Sequence, residues 1–378
     1  MPARLVTAHA GLIAASIQVA GGFFAVYLLK SGVSLPLTIL AYAATLVIRF
    51  FLRFMVLALV RRLGLRRTLV LGTIVRAAQF VPLIYGGDPV WLAVWVLTSA
   101  LADALYWPVF HALMSAVGEA HTRGSQLGTL EAIRALAGIA GPALGGWLLA
   151  IFGGGAIFAL GAAIQLLALL PLWPLPDVPA GPIPSLRRSL NGDRLGFLLA
   201  ASDGWLTIGW WFVWGLALFQ TLGEDFAYYG GAMAFSGMVA ALLGLAVGRT
   251  LDLGHTRKVL LAVSTVMVIG IAARALAVGH PTAAFLVNAL SALASSFYTP
   301  TYMTTLYNRA KQHGALAFTF FAEAGWDTGS ILACGMAAAV AASGLPLSFA
   351  ILPALLGMLG MHCGVLASAR YPAQAAAE

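Results

Sequence analysis

Long apolar runs dominate this chain and restrict it to one broad class of fold. Twelve of them are long enough for a helix to cross the hydrocarbon core of a bilayer, which takes about 20 apolar residues. They lack the short alternating pattern of a membrane β-barrel, so we expect transmembrane helices. Gly, Pro or clustered charges separate the runs, which lie near residues 5–29, 35–60, 68–86, 90–117, 125–152, 155–175, 195–221, 228–250, 258–279, 282–308, 313–342 and 346–369.

The composition excludes the other common classes of protein. Of the 378 residues, 61% are apolar and only 9% are charged, which is too little charge to cover a soluble protein of this length. Disordered chains are poor in aromatic residues, whereas aromatics make up 11% of this one. The two cysteines, Cys334 and Cys363, lie inside apolar runs, which excludes a disulfide scaffold. The sequence therefore predicts an all-α membrane protein with twelve transmembrane helices.

Basic residues in the loops predict the orientation of these helices. With the N-terminus inside, fifteen Lys and Arg residues fall on the inner side and only Lys30 falls on the outer side. We therefore expect a multi-pass protein of the plasma membrane, the inner membrane in a bacterium, with both termini cytoplasmic. The net charge of +8 then reflects topology and contact with anionic lipid headgroups, not binding of nucleic acid.

A polar linker and an internal repeat divide the chain into two halves. The linker at 176–194 is rich in Pro and Gly and separates six runs in residues 1–175 from six in residues 195–378. A shift of 192 residues aligns the Tyr106 stretch, Tyr-Trp-Pro, with Tyr-Thr-Pro at 298–300. The same shift aligns Glu131 with Glu323, and a shift of 190 aligns the loops around Gly64 and Gly254. We expect two pseudo-symmetric six-helix bundles joined by a cytoplasmic linker.

The loops after the second and eighth runs carry a basic motif. The motif G-x-x-x-D-R-x-G-R-R occupies these loops in the major facilitator superfamily of secondary transporters, which this sequence resembles over its whole length. The second copy keeps Asp252 and a basic end at Arg257, whereas the first has Arg61 at the position of the Asp but keeps Arg66. A carboxylate and guanidinium groups across a tight turn can latch neighbouring helices, so we expect an inner gate of Asp252, Arg257 and Arg66.

The fifth run contains a series of glycines around a proline. Residues 137–146 are similar to the GxxxGPxxGG motif of the antiporters of this family, with Ala137 at the first glycine. We expect Gly141, Pro142 and Gly145 to mediate helix packing, because glycines allow a second backbone to approach closely. An antiporter specialisation follows from the resemblance alone, and ordinary helix packing is the alternative interpretation.

Charged residues within the spans are unequally divided between the halves. The first half holds two more bases than acids and the second holds two more acids than bases, so we expect the halves to neutralise each other where transporters place their sites. Arg49, Arg53 and Arg76 are accordingly predicted to be intramembrane charge partners. The ten residues are Arg49, Arg53, Arg76, Arg134 and Arg274 with Asp103, Glu131, Asp203, Glu323 and Asp327.

One pair of acids is predicted to couple transport to protons. Glu323 and Asp327 are four residues apart and share a helical face. Two carboxylates close together in a low dielectric do not both ionise readily, so one of them binds a proton. Glu131, the repeat counterpart of Glu323, is predicted to contribute as a third acid. The alternative is a static salt bridge from this pair to Arg49 or Arg53.

Polar and aromatic side chains collect on the spans that the resemblance assigns to a central cavity, namely the first, fourth, seventh and tenth. Asp103, Trp107 and His111 form one stripe on the fourth span, and hydroxyl groups crowd the tenth. The alternatives are that the hydroxyls bond to their own backbone and that His111 is a buried hydrogen-bonding group. The predicted substrate-cavity residues are Gln18, Asp103, Tyr106, Trp107, His111, Arg134, Asp203, Trp211, Tyr298 and Tyr302.

Motifs for other kinds of chemistry are missing from the sequence. It has no nucleotide-binding P-loop, no Cys/His cluster with metal-ligand spacing and no nucleophile elbow, so we expect no metal, no cofactor and no enzymatic activity. The pattern favours a monomeric secondary active transporter that alternates access and exports a small amphipathic organic compound in exchange for protons. The alternatives are uptake or exchange of an organic anion, a lipid flippase on the same fold, and a transporter-like sensor that does not cycle.

Overall fold

The computed structural model describes residues 2–117, 123–176, 193–248, 256–313 and 315–370. These residues are almost entirely helical, and twelve spans can be followed through them, which confirms the predicted fold class. In chain order the helices are Pro2–Val19 and Phe24–Lys30 (first span), Leu35–Ala78 with Phe80–Leu83 (second and third), Pro89–Val117 (fourth), Arg123–Leu167 (fifth and sixth), Arg194–Thr207 with Trp214–Thr221 (seventh), Phe226–Gly248 (eighth), Thr256–Ala277 (ninth), Pro281–His313 (tenth), Ala315–Ala342 (eleventh), and Ser348–Ile351 with Ala354–Arg370 (twelfth).

Six stretches of the described residues are long and apolar enough to cross a membrane. Two of them, Leu35–Leu83 and Ala132–Leu172, contain 49 and 41 residues, about twice the length that one crossing needs. Each is interrupted by one glycine with a positive φ, Gly64 (φ 80°) and Gly153 (φ 73°). Only glycine adopts this conformation without steric cost, so a single residue separates the second span from the third and the fifth from the sixth.

Acidic side chains cap the start of three spans. The Oδ1 atom of Asp88 accepts the backbone N–H of Val90 at 2.8 Å, before the fourth span. Asp193 accepts the N–H of Leu195 at 3.1 Å before the seventh, and Asp225 accepts an N–H at 2.8 Å at the start of the eighth. These carboxylates accept hydrogen bonds from N–H groups of the first helical turn, which have no backbone acceptor within the helix.

The described helices form two compact units. The first unit comprises Met1–Pro184 and Leu222–Phe235, and the second comprises Ser185–Thr221 and Ser236–Glu378. The core of the first unit contains buried apolar side chains of its first, third, fourth and sixth spans, among them Val6, Leu69, Val109 and Leu172. In the second unit Ala200, Phe318 and Ala322 form a buried cluster between the seventh and eleventh spans, with Ala310 of the tenth.

Glycines of the fifth span lie against neighbouring backbones in the first unit. A Cβ atom at Gly141 would lie 2.6 Å from the Cβ of Gln18, and one at Gly145 would collide with the carbonyl oxygen of Val19. Gly146 faces the eighth span in the same way, because a Cβ there would collide with the carbonyl oxygen of Phe226. The helix continues without a break through Pro142. This glycine series therefore sets the approach of the fifth span to the first and eighth.

Substitution of Gly145 by Ala should destabilise the protein by about 1–3 kcal/mol, because the added methyl group meets a backbone carbonyl that has no room to move. The matched control is Gly138→Ala in the same helix, where nothing lies within 4 Å of the added Cβ. Thermal unfolding of the two purified variants in detergent measures the difference. Equal unfolding temperatures would show that this close contact does not contribute to stability.

Candidate functional site

A cluster of buried charges connects the second, third and fourth spans of the first unit. The guanidinium group of Arg76 donates a hydrogen bond to Oδ1 of Asp103, and an Arg49 nitrogen lies 4.0 Å from Oδ2 of the same carboxylate. The side chains of both arginines are 6% exposed, and that of Asp103 is 22% exposed. Arg53, four residues after Arg49, is buried as well. Asp103, predicted as a cavity residue, thus serves as counter-ion to two buried cations, each of which would be costly alone.

Aromatic rings surround the guanidinium group of Arg76. Its carbon atom lies 4.8 Å from the ring centre of Tyr106 and 5.4 Å from that of Trp107, distances at which a cation is attracted to the ring face. The rings of Trp107 and His111 stack at 5.9 Å, and both side chains are partly exposed. The predicted stripe Asp103, Trp107 and His111 is therefore partly exposed at all three positions.

A buried histidine that the sequence analysis did not single out completes this cluster. His9 of the first span is completely buried. Its Nδ1 lies 2.8 Å from the carbonyl oxygen of Ala168, and its Nε2 lies 3.2 Å from the hydroxyl of Tyr106. A carbonyl oxygen only accepts hydrogen bonds, so Nδ1 carries the hydrogen. In the neutral ring Nε2 is then the acceptor, and the Tyr106 hydroxyl donates to it.

A second cluster lies in the second unit and centres on Asp203 of the seventh span. The Tyr298 hydroxyl donates to Oδ1 of Asp203 at 2.6 Å, and the indole N–H of Trp326 donates to Oδ2 at 3.0 Å. Tyr302 adds a side-chain hydrogen bond to the same carboxylate, and its ring stacks on that of Tyr298 at 6.0 Å. Three residues predicted separately as cavity residues, Asp203, Tyr298 and Tyr302, are thus in direct contact.

The predicted coupling acids lie on the eleventh span, beside this cluster. Glu323 is partly buried, and its charge acts on Asp203. Asp327, one helical turn later, is completely buried. Trp326, which the sequence analysis passed over, lies between them in sequence and bonds to Asp203. Their role in proton coupling stays a prediction, but Glu323 has Asp203 as an acidic neighbour on another helix.

The two clusters are related by the internal repeat. Tyr106 and Tyr298 correspond under the shift of 192 residues, and their bonding partners, His9 and Asp203, are 194 residues apart. Each unit therefore joins a tyrosine of its fourth helix to an ionisable side chain of its first. A search that allowed the shift of 192 residues to vary by two would have paired His9 with Asp203.

The remaining predicted residues are distributed over both units. Arg134 is exposed, and its charge acts on Tyr106. Trp211 is 42% exposed, and Gln18 packs on Gly141. Arg66 donates to the carbonyl oxygens of residues 172 and 173, at 2.9 and 2.5 Å, so it caps the end of the sixth span. Asp252 and the side chains of Glu131 and Arg257 lie outside the described residues.

One ion pair of the second unit was missed by the sequence analysis. The guanidinium group of Arg309 donates to both carboxylate oxygens of Asp193, with 2.6 Å between Nη2 and Oδ1. Arg309 also donates to the hydroxyl of Ser368 at 3.3 Å. This bidentate contact fixes the start of the seventh span to the ends of the tenth and twelfth. No local sequence pattern predicts this pair, because the partners are 116 residues apart.

Comparison with protein-family models identifies the chain. The model of the Major Facilitator Superfamily matches residues 9–334. The chain belongs to the major facilitator superfamily. Membership indicates a multi-pass membrane protein that acts as a secondary transporter. Each cluster includes residues of spans that the resemblance assigned to the cavity of such transporters, the first and fourth in the first unit and the seventh and tenth in the second.

Solved structures of the superfamily have the same fold. The POT family transporter PepTSo is 11% identical to the chain, covers 99% of it over 99% of its own length, and superposes with a TM-score of 0.66. A D-xylose-proton symporter is 15% identical, with coverage of 97% and 96% and a TM-score of 0.65. None of the curated proteins compared with the chain matches it significantly.

A further buried cation, Arg274 of the ninth span, contacts the seventh span within the second unit. Residues Ile208–Val213 form a turn of π-helix, and Arg274 of the ninth span donates to the carbonyl oxygen of Trp210 within it. Its Nε donates to Ser291 at 2.9 Å, and the Trp210 and Trp214 rings lie 3.7 and 5.2 Å from its guanidinium carbon. The ring faces and the carbonyl together compensate for the buried charge.

The π-helix also separates Trp211 from Trp214, which a regular α-helix would bring close to one face. Trp214 is buried and its indole donates to Asn288 at 2.9 Å, whereas Trp211 is exposed. A π turn contains more residues than an α turn, so side chains three residues apart diverge. Trp211 alone keeps the exposure that a cavity residue requires.

Asp103→Asn should lower the free energy of unfolding by about 3–5 kcal/mol, because Arg49 and Arg76 would lose the carboxylate that offsets their buried charge. Asp88→Asn is the control, since asparagine caps the fourth span equally well and the position is exposed. Thermal denaturation of the purified variants measures both. Adding Arg76→Met to Asp103→Asn should cost less than the sum of the single changes, and strict additivity would argue against the pair.

Arg274→Lys should destabilise the second unit by about 1–3 kcal/mol, because an ammonium group does not reach both Trp210 and Ser291 and leaves one of them unpaired. The near-ultraviolet circular dichroism of the tryptophans should change with it. Arg194→Lys, at the exposed start of the seventh span, serves as the control. A lysine variant with unchanged stability and spectrum would contradict the compensation described here.

Proposed function

We propose that this protein is a proton-coupled transporter that exports a small amphipathic organic compound by alternating access. The family indicates a secondary transporter, and the coupling ion, the direction and the substrate class are inferred from the residues of this chain. The sequence of the D-xylose-proton symporter is only 15% identical, but its description as a proton symporter agrees with protons as the coupling ion.

The observation that carries proton coupling is the acidic cluster of the second unit. Asp203 is buried among hydrogen-bond donors with Glu323 nearby, and Asp327 is completely buried on the same helix as Glu323. Acids that share a low-dielectric environment exchange a proton more readily than they ionise together. Glu323 and Asp327, with Glu131 as the repeat counterpart, therefore serve in proton coupling.

The direction and the substrate rest on the first unit. The glycine series at Gly141 and Gly145 is similar to the motif of the antiporters of the family, which favours export. The partly exposed stack of Trp107 and His111, next to the exposed Arg134, offers aromatic surface beside polar groups, which suits an amphipathic molecule. The excess of basic residues in alternate loops supports cytoplasmic termini in the plasma membrane, the inner membrane in a bacterium.

One observation favours a second candidate, uptake or exchange of an organic anion. Arg49, Arg53 and Arg76 are all buried in the first unit, where Asp103 is the carboxylate bonded to two of them. An excess of buried positive charge in one bundle would attract a carboxylate or phosphate group of a substrate.

Transport by purified protein in proteoliposomes tests the proposal. An imposed pH gradient should make cationic or neutral amphipathic dyes accumulate on the side with the higher proton concentration. Glu323→Gln or Asp327→Asn should abolish the dependence of dye transport on the gradient. Glu224→Gln is the matched control, because Glu224 belongs to the first unit and pairs with Lys30 at 3.8 Å.

Two outcomes would contradict the proposal. Dye transport that is equal with and without a pH gradient would remove proton coupling. Transport of organic anions in place of the dyes, in a panel that contains both, would replace the exporter with the second candidate.

A further inference from the structure

The hydrogen-bond partners of Asp203 are all electrically neutral. Asp203 is 8% exposed and its carboxylate is bonded by Tyr298, Tyr302 and Trp326, and no cationic side chain bonds to it among the residues that the structure describes. In the first unit, by contrast, the partly buried Asp103 faces two arginines. A buried carboxylate without a counter-charge gains more from binding a proton than one in an ion pair does.

The described side chains of the helices packed around Asp203 bring no base into contact with it. The tenth span contributes the two tyrosines and the eleventh contributes Trp326, with the acids Glu323 and Asp327 on either side of it in sequence. Glu323 is the charged group that acts on Asp203, and it carries the same sign. A second negative charge nearby favours the protonated form of one of the two acids.

The described residues of the twelfth and ninth spans also place no positive charge in contact with Asp203. Gly357 and Gly360 of the twelfth span pack on Ser202, the residue before Asp203, and His362 bonds to Ser264 of the ninth span at 2.8 Å. The ninth-span cation, Arg274, is held by Trp210 and Ser291.

The geometry accommodates both protonation states of Asp203 without movement of heavy atoms. The indole N–H of Trp326 only donates, so it stays on Oδ2 in either state, whereas the hydroxyl of Tyr298 can donate or accept. When Asp203 is ionised, Tyr298 donates to Oδ1. When a proton from water binds to Oδ1, the new O–H donates to the oxygen of Tyr298, whose own hydrogen rotates away, and the carboxylate charge changes from −1 to 0.

Comparison of the two units shows what is particular to the Asp203 cluster of the second. In the first unit the matching tyrosine, Tyr106, donates to His9, whose other nitrogen is held by the carbonyl of Ala168. Protonation of His9 would add a positive charge near the guanidinium group of Arg76, which opposes it. In the second unit the same tyrosine position faces an acid, and a proton bound there removes a buried charge.

We propose that Asp203 is the residue that takes up and releases the coupling proton, with Tyr298 and Trp326 as positioning residues. The inference rests on the proposed proton-coupled transport and assigns the proton to one carboxylate. Glu323 then serves in coupling through its charge, which strengthens proton binding by Asp203, so its loss in Glu323→Gln weakens proton binding and with it the dependence of transport on the gradient.

Infrared difference spectra between acidic and alkaline pH test the assignment without any substrate. Purified protein should show the carbonyl stretch of a protonated carboxyl group at acidic pH. The band should be lost in Asp203→Asn, persist at a shifted pH midpoint in Glu323→Gln, and change frequency in Trp326→Phe, because the hydrogen bond to Oδ2 is removed. Asp203→Glu should keep a titrating band, and it replaces the asparagine variant if that one does not fold.

Transport under a pH gradient distinguishes failure of this inference from failure of the proposed function. A titrating band that persists in Asp203→Asn, with gradient-driven transport intact, overturns the assignment and leaves proton-coupled transport standing. Loss of the band in Asp203→Asn, in a protein whose unaltered form transports nothing in response to a gradient, supports protonation of Asp203 and contradicts the proposed function. Loss of both band and gradient dependence supports both.

Discussion

Burial of charge in an apolar environment governs how both units of this protein are built. A guanidinium group in the hydrocarbon region requires a carboxylate, a carbonyl or a ring face within reach, and the chain uses all three. Arg76 has Asp103 and two aromatic rings, and Arg274 has the Trp210 carbonyl and two indoles. Because such partners come from different spans, the same contacts fix how the second, third and fourth spans pack and how the seventh and ninth do.

Against this background Asp203 differs from Asp103 and Asp193, the other acids in the interior whose partners the structure describes, because both of those pair with arginines. Its bonds come from two tyrosines and a tryptophan, groups that stabilise a carboxylate without neutralising it. The duplication of the six-helix unit explains how this arose in physical terms, since one tyrosine position serves a histidine in one copy and an acid in the other. Two structurally similar sites can thus differ in whether they respond to pH.

Much of the fold was predictable, because hydrophobic runs and the positions of Gly64 and Gly153 are local properties of the sequence. The chemistry of Asp203, Tyr298 and Tyr302 was predictable one residue at a time from their rarity in apolar spans. Their contact was not, nor were the roles of His9 and Trp326, because residue spacing does not determine which helix faces which. The π-helix at Ile208–Val213 is a further limit, since helical spacing assumes a regular turn and does not predict that Trp214 is buried while Trp211 is exposed.

The π turn and Arg274 form an interdependent pair of irregularities. Without the cation, a widened turn would hold a carbonyl oxygen turned out of the regular ladder, and without that oxygen the cation would be a buried charge short of an acceptor. Each defect is tolerable only in the presence of the other. Substitutions that restore a regular α-helix here must therefore be accompanied by replacement of Arg274 with a neutral residue or by its movement out of the interior. Either change alone would leave a destabilised intermediate.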